Sequence, residues 1–163
     1  MKVLLTGATG YIGKRLLPVL VDAGHEVICC VRDKSRFHPP DSIKNNIIII
    51  ELDLLKSETL NNIPLDIDGA FYLVHSMSTS SNYEKLELES AINFRKKLNQ
   101  TKAKHVVYLS GIINNDELSK HLGSRKNVEL ELRKGTYNCT TLRAGIIIGS
   151  GSASFEIIRD IVE

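Results

Sequence analysis

An apolar run, Met1-Lys2-Val3-Leu4-Leu5-Thr6, passes directly into Gly7, Gly10 and Gly13, and from Ile12 onward the residues follow a helical period. A buried strand, a glycine turn and a helix in that order leave the chain few options. Gly7 permits a tight turn, Gly10 lets the backbone approach a bound group, and Gly13 lets the helix pack close to the strand. The turn Thr6-Gly7-Ala8-Thr9-Gly10-Tyr11-Ile12-Gly13 therefore sets backbone N–H groups at the positive end of a helix, where a diphosphate rests. The expected ligand is a nicotinamide dinucleotide, held by Gly7, Thr9, Gly10, Tyr11, Ile12 and Gly13. The hydroxyls of Thr6 and Thr9 either tie the turn through backbone hydrogen bonds or belong to small turn residues.

Beyond this unit, apolar runs of strand length alternate with segments of helical period, the pattern of a parallel sheet covered on both faces. Strands are expected at Val3–Thr6, Glu26–Val31, Ile47–Glu51, Gly69–Val74, His105–Ser110 and Thr140–Arg143. Helices are expected at Ile12–Ala23, Lys56–Leu60, Tyr83–Gln100 and Glu117–Lys134. Right-handed crossovers then give an α/β Rossmann fold, a doubly wound parallel sheet of six strands in the order 3-2-1-4-5-6. Gly24 should end the first helix in a left-handed conformation, and Pro39-Pro40 breaks the chain before the third strand. In the helix from Tyr83, Leu88, Ala91, Ile92 and Leu98 form an apolar stripe. Residues 1–163 read as one dinucleotide-binding domain. A last helix, Phe155–Glu163, has an apolar stripe of Ile157, Ile158, Ile161 and Val162, and a substrate domain beyond it is expected to be absent.

Charge and cysteine content narrow the function classes. The 21 basic and 19 acidic residues give a formal charge of +2 with no basic face, so nucleic acid is not the expected partner. Arg95-Lys96-Lys97 reads as a solvated helix end. Cys29 and Cys30 are adjacent in a strand and point to opposite faces; with Cys139 they read as small apolar residues in a reducing compartment, with no metal site. No leader pattern and no apolar run of membrane-spanning length is present, so a cytoplasmic protein is expected. A homo-oligomer is compatible with the sequence.

The position that selects the ribose lies about 20 residues beyond the glycines. Arg32 occupies it, with Lys34 and Arg36 close by, and a guanidinium there favours the 2′-phosphate of NADP. Asp33 follows directly, and swinging in to take the ribose hydroxyls it would favour NAD. Asp53 and Leu54, after the third strand, either flank the adenine or, for Asp53, cap the helix at Lys56.

With these pieces in order the chain resembles the atypical, extended-like short-chain dehydrogenase/reductase family, the NAD(P)-binding branch with the NmrA-like proteins and the NAD-dependent epimerase/dehydratase relatives. The resemblance rests on the glycine turn, on Val31-Arg32-Asp33, on Phe71-Tyr72-Leu73-Val74-His75-Ser76-Met77, on Val107-Tyr108-Leu109-Ser110-Gly111 and on Leu142-Arg143-Ala144-Gly145-Ile146-Ile147-Ile148-Gly149. It implies that Val74, His75 and Ser76 contact the cofactor ribose and phosphates, that Ser110 supplies an active-site hydroxyl, and that Ala144, Gly145 and Ile146 lie by the nicotinamide. Read without the family, His75 is a structural residue. Enzymes of the family use a tyrosine four residues before a lysine, and none of Tyr11, Tyr72, Tyr83, Tyr108 or Tyr137 has one. His121 and Arg125 stand at the corresponding positions. They read either as a proton-transferring histidine beside a guanidinium or as a surface helix start.

Two functions follow as expectations. One is an NADP-dependent oxidoreductase acting on a small carbonyl or isomerisable substrate, with Ser110, His121 and Arg125 around the reacting oxygen. The other is a non-catalytic NADP(H)-sensing regulator or scaffold of the NmrA-like type. An accessory role in electron transfer is neither favoured nor excluded.

Overall fold

Strand β1 (Lys2–Thr6) is central because four of its five residues are buried, which only a strand flanked on both edges and both faces achieves. The computed structural model describes residues 1–75, 82–112 and 120–162; for residues 120–122, 153 and 154 only the backbone is described. The remaining elements are α1 (Tyr11–Asp22), β2 (Glu26–Val31), β3 (Ile47–Glu51), β4 (Gly69–Tyr72), α2 (Tyr83–Leu98), β5 (His105–Gly111), α3 (Lys120–Leu132), β6 (Asn138–Ala144) and α4 (Ala153–Val162). The sheet runs β3-β2-β1-β4-β5-β6, parallel throughout. This is the expected Rossmann order, and it places the carboxyl ends of all six strands along one edge.

Alternation along the strands feeds two cores. Val3, Leu5, Val27, Cys29 and Val31 meet Leu17 and Leu20 of α1 on one face, while Leu4, Ile28, Cys30, Tyr72 and Tyr108 meet Phe94, Leu98 and Leu132 of α2 and α3 on the other. Cys29 and Cys30 thus lie on opposite faces as expected. Burial pushes the Cys29 thiol up to about 12, and Cys30 well above its usual value, so both are packing groups. Gly24, at a φ of +76°, ends α1 with the His25 N–H donating to the Leu20 carbonyl at 3.1 Å.

Four local expectations are corrected. Residues Ser57–Asn62 form 3₁₀ turns rather than an α-helix from Lys56, because the Thr59 hydroxyl donates to the carbonyls of Lys56 and Asp53, both at 2.8 Å. Strand β4 stops at Tyr72 rather than Val74. Beyond it the Thr6 hydroxyl takes over the pairing, donating to the Phe71 carbonyl at 2.9 Å and accepting from the Leu73 N–H at 3.2 Å. The buried face of α2 is rotated: Tyr83, Glu87, Ser90, Ala91, Phe94 and Leu98 point inward, and Leu88 and Ile92 are half-buried. Arg95 is not a solvated helix end, because its Nε donates to the buried Glu131 of α3 at 2.7 Å.

At the far edge, β6 is longer than expected, pairing with β5 from His105↔Asn138 to Gly111↔Ala144. Leu142 on β6, and Ile157, Ile158, Ile161 and Val162 on α4, are exposed.

Candidate cofactor site

The glycine turn is fixed by close approach. Gly7 sits at a φ of +72°, and a Cβ there would lie 2.7 Å from the Leu73 carbonyl oxygen at the end of β4. A Cβ on Gly13 would run into the Gly7 carbonyl. The Gly10 N–H closes the turn onto Gly7 O at 2.9 Å, and Gly10 then caps α1 in extended conformation. No side chain caps α1 and no acidic residue lies in its first turn, so its N–H groups and dipole are left to an anion. A diphosphate fits this cradle. Of the two readings of Thr6, its hydroxyl does not tie the turn; it is committed to the end of β4.

From the turn a cleft of about 630 Å³ runs along the carboxyl ends of β1, β2 and β4. It brings together Gly7, Thr9, Gly10, Arg32, Asp53, Leu54, Val74 and His75, all expected from the sequence. The Arg32 side chain is exposed at its rim and makes no hydrogen bond or ion pair among the described residues. Asp33 is engaged elsewhere, accepting from the Ser35 N–H at 2.9 Å and the Ser35 hydroxyl at 2.6 Å. Those two bonds hold its carboxyl below the usual carboxylate range. Asp53 is no helix cap: its Oδ1 accepts from the Leu55 N–H at 3.1 Å within the turn after β3, and the buried Leu54 faces the cleft.

The inner end is walled by residues the sequence did not suggest. Leu86, Glu87 and Ser90 of α2 line it. Glu87 is 9% exposed and accepts a short hydrogen bond from the Ser124 hydroxyl of α3. The available signal was the polar Glu87 and Ser90 interrupting the apolar period of α2. Nearby, the His75 Nε2–H donates to the Leu109 carbonyl at 2.8 Å, which leaves Nδ1 as the ring's acceptor. Burial, reinforced by the charge of Arg125, lowers the His75 pKa, so the ring is neutral. Tyr108 donates to the Arg125 carbonyl at 3.3 Å, and burial pushes its hydroxyl up to about 12.

Ser110, toward the end of β5, is 1% exposed and does not line the cleft; its hydroxyl lies beside that of Tyr108. Ala144 ends β6, paired with Gly111, and Gly145 follows it; Ala144 O accepts from the Ile112 N–H at 3.1 Å. They do not line the cleft, and neither do Tyr11, Ile12 and Gly13, which lie in the first turn of α1. Ser76 lies outside the described residues, as does the side chain of His121. Among the described residues no helix is long and apolar enough to cross a membrane, and no cluster of three metal-ligating side chains occurs.

Known proteins resemble this chain in sequence or in fold. An uncharacterized protein of Saccharomyces cerevisiae is 36% identical over 73 residues, 45% of this chain and 24% of that protein. The Bordetella bronchiseptica enzyme WbmH, solved with NAD+, superposes with a TM-score of 0.76 at 18% identity, over 91% of this chain and 56% of that one. Citrobacter triphenylmethane reductase, solved with NADP(H), gives a TM-score of 0.72 at 17% identity, over 88% of this chain and 49% of that one. The chain thus spans about half the length of these solved relatives, and their likeness shows the fold. The family model for NAD(P)H-binding proteins matches residues 7–145, which hold the glycine turn, the cleft and the end of β6. The chain belongs to the NAD(P)H-binding family.

Proposed function

We propose that this domain binds NADP(H) in preference to NAD(H) and serves an oxidoreductase acting on a small carbonyl or isomerisable substrate. One observation carries the cofactor preference: Arg32 stands free at the cleft rim while Asp33, the carboxylate that would select NAD, is held by Ser35. Gly7, Gly10 and the first turn of α1 hold the diphosphate, Arg32 the 2′-phosphate, and Asp53 and Leu54 the adenosine. Neutral His75 accepts from a ribose hydroxyl through Nδ1. Ala144 and Gly145 lie beside the nicotinamide, which when bound donates or accepts a hydride. Ser110, His121 and Arg125 surround the substrate oxygen, His121 and Arg125 being one helical turn apart on α3. A cytoplasmic setting suits the free Cys29, Cys30 and Cys139.

Calorimetric titration with NADP and NAD tests the cofactor assignment. Arg32→Ala should weaken NADP by about 1.5–3 kcal/mol, the worth of a hydrogen bond to a charged group, and leave NAD unchanged. An equal loss for both removes the account of Arg32.

A second reading has its own support. No tyrosine here is followed by lysine at the fourth position, and Tyr108, beside the site, is made less acidic by burial where a proton-donating tyrosine needs the opposite. A non-catalytic NADP(H) sensor needs no such pair. Oxidation of NADPH across a broad panel of carbonyl compounds supports the oxidoreductase; no turnover, with partner capture that responds to NADPH, supports the sensor.

A further inference from the structure

The segment after β6 meets α1 through Arg15 and Tyr11. The Arg15 guanidinium lies over the Tyr11 ring, 3.6 Å from its centroid, and Nη2 donates to the Ser150 carbonyl at 2.6 Å. Nη1 reaches back to the Tyr11 carbonyl at 3.4 Å. The Tyr11 hydroxyl occupies the place a Cβ on Gly149 would take, so the ring packs against bare backbone. Elsewhere the segment is held from within: Ser152 Oγ donates to Ile147 O at 2.7 Å, and the Gly151 N–H donates to Glu156 Oε1 at 2.8 Å. Arg15 has no carboxylate partner among the described residues. Its charge is spent on a ring and a carbonyl.

We propose that Arg15 is a positioning residue. Stacked on Tyr11 and bonded to Ser150, it holds residues 144–151 against the start of α1, so that the wall of the nicotinamide end is in place before the cofactor arrives. This rests on the assignment of Ala144 and Gly145 to the nicotinamide. Residues 145–151 lie outside the helices and strands and carry Gly149 and Gly151, so ordering them has an entropic cost that a preformed clamp removes from binding. The adenosine end, bound by Arg32, Asp53 and Leu54, does not depend on it.

NADPH and 2′-phospho-ADP-ribose, which lacks only the nicotinamide, separate the two ends. Binding of both to the full chain, to Arg15→Ala and to Arg15→Lys is measured by calorimetry, with the emission of bound NADPH as a report on its nicotinamide. Arg15→Ala should weaken NADPH by about 3- to 10-fold, as expected for one ordered segment released. It should leave 2′-phospho-ADP-ribose within about twofold and move the emission toward that of free NADPH. Arg15→Lys, which can still donate to Ser150 O, should recover part of the loss. Equal weakening of both ligands makes Arg15 a diphosphate contact and overturns the positioning role, as does no change in either. If the unaltered chain binds both ligands equally and NADPH emission does not respond, the nicotinamide assignment itself fails, and the positioning role with it.

Discussion

Gly7 and Gly13 meet one steric constraint from two sides. A side chain on Gly7 would strike the Leu73 carbonyl, and one on Gly13 would strike the Gly7 carbonyl, so β1, α1 and β4 approach through a column of bare backbone. Gly13→Ala should cost about 1–3 kcal/mol, as overpacking does, and weaken NADP and NAD alike. Urea unfolding with parallel calorimetry checks both effects. His75 gives a pH dependence. Burial and the Arg125 charge hold its folded pKa below 6.5, so the unfolded chain binds the proton more readily. Its contribution to stability is complete above pH 6.5 and is lost as pH falls through the folded value. His75→Gln should flatten the acid limb of the urea midpoint below pH 6.5; an unchanged slope shows that His75 is not its source.

The helices on one face are fastened to each other by buried carboxylates. Glu87 of α2 meets the Ser124 hydroxyl of α3, and Arg95 of α2 meets Glu131 of α3. Glu129, also buried, is matched by Arg133 and by Arg143 of β6, both Nη2 groups within 3.1 Å. These polar contacts flank an apolar seam of Phe94, Leu98, Val128 and Leu132. Ser124→Ala removes a buried hydrogen bond to Glu87 and should cost about 1–3 kcal/mol. Because Glu87 also lines the cleft, NADP affinity should fall in the same variant. A melt that shifts without any change in affinity would confine Glu87 to structure.

At the scale of the whole molecule, cofactor and fold are thermodynamically linked: NADPH at one hundred times its Kd should raise stability by about 2.7 kcal/mol, read as a rise in Tm. The exposed apolar residues of α4 contribute little to that stability. Ile161 is 78% exposed, and Ile161→Lys should change the unfolding free energy by less than about 0.5 kcal/mol. The strand order and the glycine turn were legible in the sequence, because both rest on local rules: apolar runs of strand length, right-handed crossovers and glycine at points of close approach. Arg32, Asp53 and His75 line the cleft as expected, each within three residues of a strand's end. Other features depend on partners far along the chain. Glu87, on the inward face of α2, meets Ser124, 37 residues away. The clamp of Arg15 on Ser150 spans 135 residues. Sequence by itself determined the sheet and the cradle, through residue-by-residue sterics and burial. Only the tertiary structure decided which polar groups are left free for a ligand, because that depends on which neighbours folding brings within hydrogen-bond reach.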